Sequence, residues 1–255
     1  MQSIISKFFS QIFNYFRSLK KIKFKDIFKD WNIYEIAWLF LSTTILACIS
    51  LMTADKYLIL TLVATITGML NLVLIAKGKI LNYFFAFVYN LTYAYFCLLE
   101  GVYGQAILFV FFFFPMQFYG LYCWTKPEST DTNSTIVTKS LNIKQQIILL
   151  ISVIISAFLY GIFILKAFFH QEIGLVADSL TGVISVIAIF LMVKAYVEQW
   201  VLWIIINVLS TIIWIQQYYS GTDSGGIAFF AMWLIYLLNS IYGYINWIKL
   251  QKNQN

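Results

Sequence analysis

Charge is scarce in this chain. Only 11% of its 255 residues are Asp, Glu, Lys or Arg, against 61% that are hydrophobic. With a mean hydropathy of +0.81, that balance excludes an ordinary water-soluble domain, where about a quarter of residues carry charge. Histidine occurs once, at His170, in an expected solvated loop, so no histidine cluster is available to hold a metal. Cys48, Cys97 and Cys123 fall inside apolar runs. They have no metal-ligand spacing and suggest no disulfide framework, and they are expected to be small buried hydrophobes. Proline is nearly absent. Pro115 lies within an apolar run, where it removes a backbone hydrogen bond and is expected to kink the helix. No Walker motif, HExxH motif or nucleophile elbow is present, so neither ATP hydrolysis nor enzyme chemistry has a home here. No cofactor is expected.

What the chain has in quantity is long apolar runs, near residues 33–54, 57–76, 81–100, 104–124, 146–166, 174–194, 198–219 and 226–248. A helix needs roughly 20 apolar residues to cross a bilayer, and continuous runs exclude the alternating pattern of a β-barrel. The expected fold is therefore an all-α integral membrane protein with eight transmembrane helices. Residues 1–32 lack the apolar core of a cleavable signal peptide. Their Lys and Arg residues alternate with Ile, Phe and Leu, the pattern of a basic amphipathic leader on an anionic membrane surface. With both termini in the cytoplasm, every basic residue except Lys56 and Lys166 lies inside, as the positive-inside rule requires. Topology thus accounts for the net charge of +6 without a nucleic-acid partner.

The second half repeats the first in the same direction. Leu62-Val63-Ala64-Thr65-Ile66-Thr67-Gly68 returns, with one insertion, as Leu175-Val176-Ala177-Asp178-Ser179-Leu180-Thr181-Gly182. Lys77 returns as Lys194, Asn90 as Asn207, and Gly120…Trp124 as Gly243…Trp247. The expected organisation follows: an additional amino-terminal span at 33–54, a three-helix repeat at 57–124, and a cytoplasmic loop with a linking helix at 125–166. A second, parallel three-helix repeat at 174–249 precedes a cytoplasmic tail at 250–255. Duplicated triplets in a 3+1+3 order point to a transporter whose substrate sits at the repeat interface.

Polar side chains within apolar runs need partners. Asn71, Asn82, Asn90, Gln117, Asn207, Gln216 and Asn239 are such amides. Asn90 and Asn207 stand about nine residues from a span end, roughly 13 Å deep and near the midplane. Trp200, Trp203 and Asn207 are spaced i, i+3 and i+7 and share a helix face, continued by Ser210, Trp214 and Gln217. Trp233, Tyr236, Ser240, Gly243 and Trp247 form a similar stripe with Asn239 beside it. Aromatic faces and amides together suit a flat polar ring, uncharged or cationic. Interhelical hydrogen bonding and aromatic packing are the competing uses of the same residues. No ionisable residue lies at mid-depth, where proton relays and ion-coupled pumps place them. Passive facilitated diffusion is therefore expected.

The run Glu198-Gln199-Trp200-Val201-Leu202-Trp203 followed by Asn207, with Tyr103-Gly104-Gln105, Gly120…Trp124, Gly243…Trp247 and Asp178 before Thr181-Gly182, resembles the PnuC-type nicotinamide riboside transporters over about residues 33–250. The resemblance implies uptake of nicotinamide riboside, a vitamin B3 form, across a bacterial inner membrane. It implies a fold related to the SWEET sugar transporters, a homotrimer, and trapping of the substrate by a cytoplasmic kinase. Carried onto this chain, it makes Trp200, Trp203 and Asn207 the leading substrate-binding residues, joined by Gln117, Asn239 and Asn90. Tryptophans would stack on the pyridinium ring, and amides would bind the carboxamide and ribose hydroxyls. Gln105 stands where many relatives are expected to carry an acid. Relatives of this architecture that carry thiamine or riboflavin are the alternative, and a non-transporting sensor or structural subunit is the alternative of another class.

Overall fold

A computed structural model describes residues 2–19, 28, 31–52, 57–99, 103–126, 129, 135–167, 175–220 and 226–254. His170, the turn residues at 55–56, 100–101 and 221–223, and Lys20, Lys21, Lys23, Lys25 and Lys29 lie outside that set. The described residues are helical and contain no β-strand. The helices are α1 (Gln2–Leu19), α2 (Ile33–Met52), α3 (Leu58–Ala76), α4 (Asn82–Leu99) and α5, which runs through Tyr103–Leu108, a π-helical turn Phe109–Phe113 and Phe114–Trp124. After the linker come α6 (Ile143–Leu159, continuing π-helically through Tyr160–Lys166), α7 (Leu175–Val193), α8 (Gln199–Ser220) and α9 (Gly226–Gln254). Each apolar run of the sequence is thus occupied by a helix. By length and hydropathy, Ile33–Met52, Leu58–Ala76, Ala106–Trp124 and Ile143–Ile164 are able to cross a membrane.

The chain forms two compact units, one ending at Val137 and the other beginning at Thr138. In the first, α2 packs on α3, α3 on α4, and α4 on α5, while α1 touches the last part of α5. In the second, α6 packs on α7, α7 on α8, and α8 on α9. The outward faces are apolar. On α6, Ile147, Ile148, Leu150, Ile151, Ile154 and Ile155 are all exposed. In water each such side chain would forgo about 1.5–3 kcal/mol of burial, so these faces suit hydrocarbon. α2 buries only the stripe Leu39, Ser42, Leu46 and Ser50. Cys48 falls off that stripe and is exposed, contrary to the expectation of burial, whereas Cys97 and Cys123 are buried.

Local chemistry sets the helix ends. Asn32 caps α2: its Oδ1 accepts from the Glu35 N–H and Glu35 Oε2 accepts from the Asn32 N–H, both at 2.9 Å. Asn142 and Gln145 form the same reciprocal box at the start of α6. Glu35 also takes the Lys77 ammonium on both oxygens at 2.9 Å. Lys77 follows the last residue of α3 and lies 5.8 Å from the Trp31 ring centroid. Anion at a helix start and cation at a helix end both suit the helix dipoles, and the pair ties α2 to the turn end of α3. In α5 the Phe114 N–H reaches back to Phe109 O. The widened turn ends immediately before Pro115, whose ring an ordinary helix would drive against the preceding turn. α1 is held by its inner face: the buried Tyr15 donates its hydroxyl to Ile80 O at 3.2 Å, and Phe16 meets Phe87 at 5.6 Å. Burial pushes the Tyr15 phenol above its ordinary range, keeping it a neutral donor.

The turns after α3 and α7 are built alike. Gly78 (φ 65°) and Ala195 (φ 60°) are left-handed. Gly78 N–H bonds Ile75 O and Lys79 N–H bonds Leu74 O, at 2.8 and 2.9 Å. Ala195 N–H bonds Met192 O and Tyr196 N–H bonds Leu191 O, both at 2.9 Å. Both are Schellman caps. In the first unit the carbonyl of Gly78 accepts from Ile136 N–H at 2.9 Å, and in the second that of Ala195 accepts from Lys139 N–H at 2.8 Å. A side chain in this conformation costs about 1–2 kcal/mol. Replacing Ala195→Gly is therefore expected to stabilise the protein by about 1 kcal/mol. Gly78→Val should destabilise it by at least that much, both read as the thermal unfolding midpoint in detergent.

Candidate functional site

The residue offset that relates Asn90 to Asn207 also relates Asn82 to Gln199 and Tyr83 to Trp200. Trp200 begins the second-unit site. It is 1% exposed and its six-membered ring lies over Gly243, where a Cβ would come within 2.6 Å of it. Glycine is required there because the ring and α9 occupy the same space. The Trp200 and Trp247 rings meet edge to face at 5.8 Å and 81°. Tyr83 is fully buried, Trp124 meets it at 5.3 Å and 85°, and a Cβ on Gly120 would lie 2.5 Å from its hydroxyl. The close glycine and the crossed rings thus recur in both repeats.

One turn further along α8, Trp203 is half-buried against the cluster of Val153, Ile184, Ala188, Leu202 and Ile206, beside Trp233. Asn207 follows at 3% exposure and donates its Nδ2 to Ser240 Oγ of α9 at 2.9 Å. Ser240 in turn donates to Tyr236 O at 2.9 Å. With one Nδ2 hydrogen engaged, Asn207 can offer a ligand its Oδ1 and its second N–H. Asn239, 1% exposed, precedes Ser240 on α9. The second unit therefore gathers Asn207 and Asn239 where α8 packs on α9. Among the described side chains of these two helices the buried polar ones are Gln199, Asn207, Ser210, Asn239 and Ser240, and none of these carries charge.

The first unit treats its amides differently. Asn90 Nδ2 donates to Ala86 O at 2.6 Å, and Gln117 Nε2 to Phe113 O at 3.1 Å. Each folds back on the carbonyl one turn earlier in its own helix, although both are 4% exposed. By the offset of Gly120 and Gly243, Gln117 matches Ser240. The cross-helix bond of Asn207 is thus replaced in the first unit by two local ones. The Ser240 and Tyr83 roles were missed in the sequence, although the repeat offset points to both. The side chains of Gln105, Asp178, Trp214, Gln216 and Gln217 lie outside those described.

The start of α8 is fixed by Glu198. Its Oε1 accepts from Leu141 N–H at 2.9 Å and from Gln146 Nε2 at 3.3 Å. From the far end of α9, Gln254 Oε1 accepts from Thr138 N–H at 3.0 Å, and Gln251 Oε1 from Ser140 Oγ at 2.8 Å. Thr138 Oγ1 donates to Trp247 O at 3.3 Å. The segment leading into α6 is thereby clasped by the helices that carry Trp200 and Trp247.

Residues 58–249 match the family described as nicotinamide mononucleotide transporter. The nicotinamide riboside transporter PnuC of Haemophilus influenzae is 32% identical over 232 residues, covering 91% of this chain and 96% of its own. That of Neisseria mucosa is 31% identical over 236 residues, covering 91% of this chain and 87% of its own. A solved structure, the crystal structure of the vitamin B3 transporter PnuC, superimposes with a TM-score of 0.73 at 31% identity, covering 91% of this chain and 97% of that one.

The glycine contacts yield a graded expectation for stability. A Cβ at Gly182 would meet Tyr160 only at 3.5 Å, an ordinary contact. Gly243→Ala and Gly120→Ala should each lower the unfolding free energy by about 1–3 kcal/mol through overpacking. Gly182→Ala should be neutral or stabilising by up to about 1 kcal/mol, from helix propensity. Comparing the three by thermal unfolding in detergent checks the order.

Proposed function

This chain belongs to the PnuC-type nicotinamide riboside transporter family, and from that premise we propose that it carries nicotinamide riboside into the cell across a bacterial inner membrane. It is a helical, multi-pass membrane transporter. The finer reading has eight spans in a 3+1+3 order with an added amino-terminal helix, both termini in the cytoplasm, and a homotrimeric assembly.

The observation that carries the substrate is the uncharged polar set on α8 and α9. A mononucleotide brings a phosphate, which needs a cation or a cluster of donors when taken out of water. Gln199, Asn207, Ser210, Asn239 and Ser240 offer amides and hydroxyls only. These suit a riboside, whose carboxamide and hydroxyls are neutral and whose pyridinium ring is cationic. Trp203 supplies an indole face for that ring, and Asn207 an acceptor for its polar groups. Asn90 and Gln117 are assigned the corresponding part in the first repeat, with their own acceptor oxygens.

The apolar runs hold no ionisable residue at mid-depth, which supports facilitated diffusion, with phosphorylation by a cytoplasmic kinase drawing uptake forward. Calorimetric titration of the detergent-solubilised protein should show saturable binding of nicotinamide riboside, and none of the mononucleotide, thiamine or riboflavin. Binding of another of these instead replaces the substrate, and binding without uptake favours a sensor. Trp203→Ala should weaken binding by roughly 1–3 kcal/mol, the range of stacking losses, and Asn207→Leu should weaken it through a lost hydrogen bond, both in protein that stays folded.

In liposomes without kinase and clamped at zero membrane potential, uptake should stop when inner and outer concentrations are equal, and neither a proton nor a sodium gradient should move that end point. Accumulation above the outer concentration would overturn facilitated diffusion.

A further inference from the structure

Polar atoms buried without a partner are concentrated at one place in the described residues. Four of the ten belong to three consecutive residues: Glu198 Oε2, Gln199 Nε2, Gln199 Oε1 and Trp200 Nε1. Gln199 is 0% exposed, and neither end of its carboxamide is bonded. Burying an amide in that way is costly, and native structures retain it where something else will meet it.

The first repeat contains a cheaper solution. Asn82, the counterpart of Gln199, is equally buried but donates its Nδ2 to Lys79 O at 2.7 Å, leaving only its Oδ1 unmet. The corresponding carbonyl in the second repeat is that of Tyr196, and in both repeats the backbone N–H three residues on reaches it, at 3.1 Å from Asn82 and 3.3 Å from Gln199. The Gln199 side chain does not join that bond, and both ends of its carboxamide are unmet. An asparagine at this place closes on its own turn, while a glutamine, one methylene longer, presents two donor hydrogens and an acceptor elsewhere. The Trp200 indole N–H, on the next residue, is a further buried donor without a partner.

We propose that the Gln199 carboxamide, with the Trp200 indole N–H, is a second hydrogen-bonding station for the uncharged hydroxyl and carboxamide groups of the permeant. The inference rests on the reading of this chain as a riboside carrier. Gln199 and Asn207 are eight residues apart, about 12 Å along the helix axis. That exceeds the reach of one hydrogen-bonding group, so the two amides are successive stations along α8. The permeant's polar groups exchange one set of partners for the next as it travels toward the turn at Lys194–Glu198.

The test pairs apo stability with transport. Gln199→Met removes the amide at nearly constant volume, and Gln199→Asn installs the first repeat's form, in which Nδ2 is bonded and only Oδ1 is unmet. Both should unfold at or above the wild-type temperature without ligand, because the first removes both unmet atoms and the second removes the unmet donor. Both should also carry nicotinamide riboside into proteoliposomes at least tenfold more slowly. Uptake within twofold of wild type by either variant overturns the proposal. So does slow uptake accompanied by a lower unfolding temperature in both, which marks Gln199 as structural. If wild type carries thiamine or riboflavin instead, the same comparison is made with that ligand. Wild-type uptake of none of the three overturns the transport reading and this inference together, whereas an unchanged rate in the variants overturns this inference alone.

Discussion

A polar group withdrawn from water must be met inside the protein, and most of this architecture follows from that requirement. Many hydroxyls within the helices meet it locally. Ser42 donates to Trp38 O at 2.6 Å, Ser50 to Leu46 O at 3.0 Å, Thr92 to Val88 O at 2.8 Å and Thr211 to Asn207 O at 2.6 Å. Helix ends meet it with capping boxes at Asn32 and Asn142 and with left-handed caps at Gly78 and Ala195. Charge is admitted where it is paired, as Lys77 is with Glu35. Two buried amides of the second repeat depart from that pattern: Asn207, whose bond leaves its own helix, and Gln199, whose carboxamide meets no protein partner.

The repeats share a frame and differ in what they place on it. Both use a left-handed cap, a close glycine and a crossed aromatic pair. The first repeat fills the equivalent amide positions with groups that close on their own helices. The second opens Asn207 toward α9 and replaces asparagine with glutamine at the start of α8. Ala195 keeps a glycine's conformation with a methyl group attached.

Long apolar runs made the helices legible in the sequence. Helix bounds such as Ile33–Met52 and Asn82–Leu99 lie close to the runs at 33–54 and 81–100, because continuous hydropathy records the bilayer's thickness directly. The duplication made Gly120 and Gly243 legible as packing glycines. Three features were not. Cys48 is exposed because a run apolar on every side does not reveal which narrow stripe of α2 is buried. Trp200 shares a helical face with Asn207 in the sequence, yet its ring is spent on Gly243 and Trp247. Ser240 holds Asn207 because a common serine fits a distance that spacing along one helix does not contain.

The clasp at the head of α6 also has a consequence for biogenesis. Thr138 and Ser140 are bonded to Trp247, Gln251 and Gln254, residues more than a hundred positions later. A ribosome adding roughly 5–20 residues per second needs on the order of ten seconds to supply them. Through that interval the entrance to α6 is already synthesised and still without its partners. That clasp can therefore close only after α9 has been made.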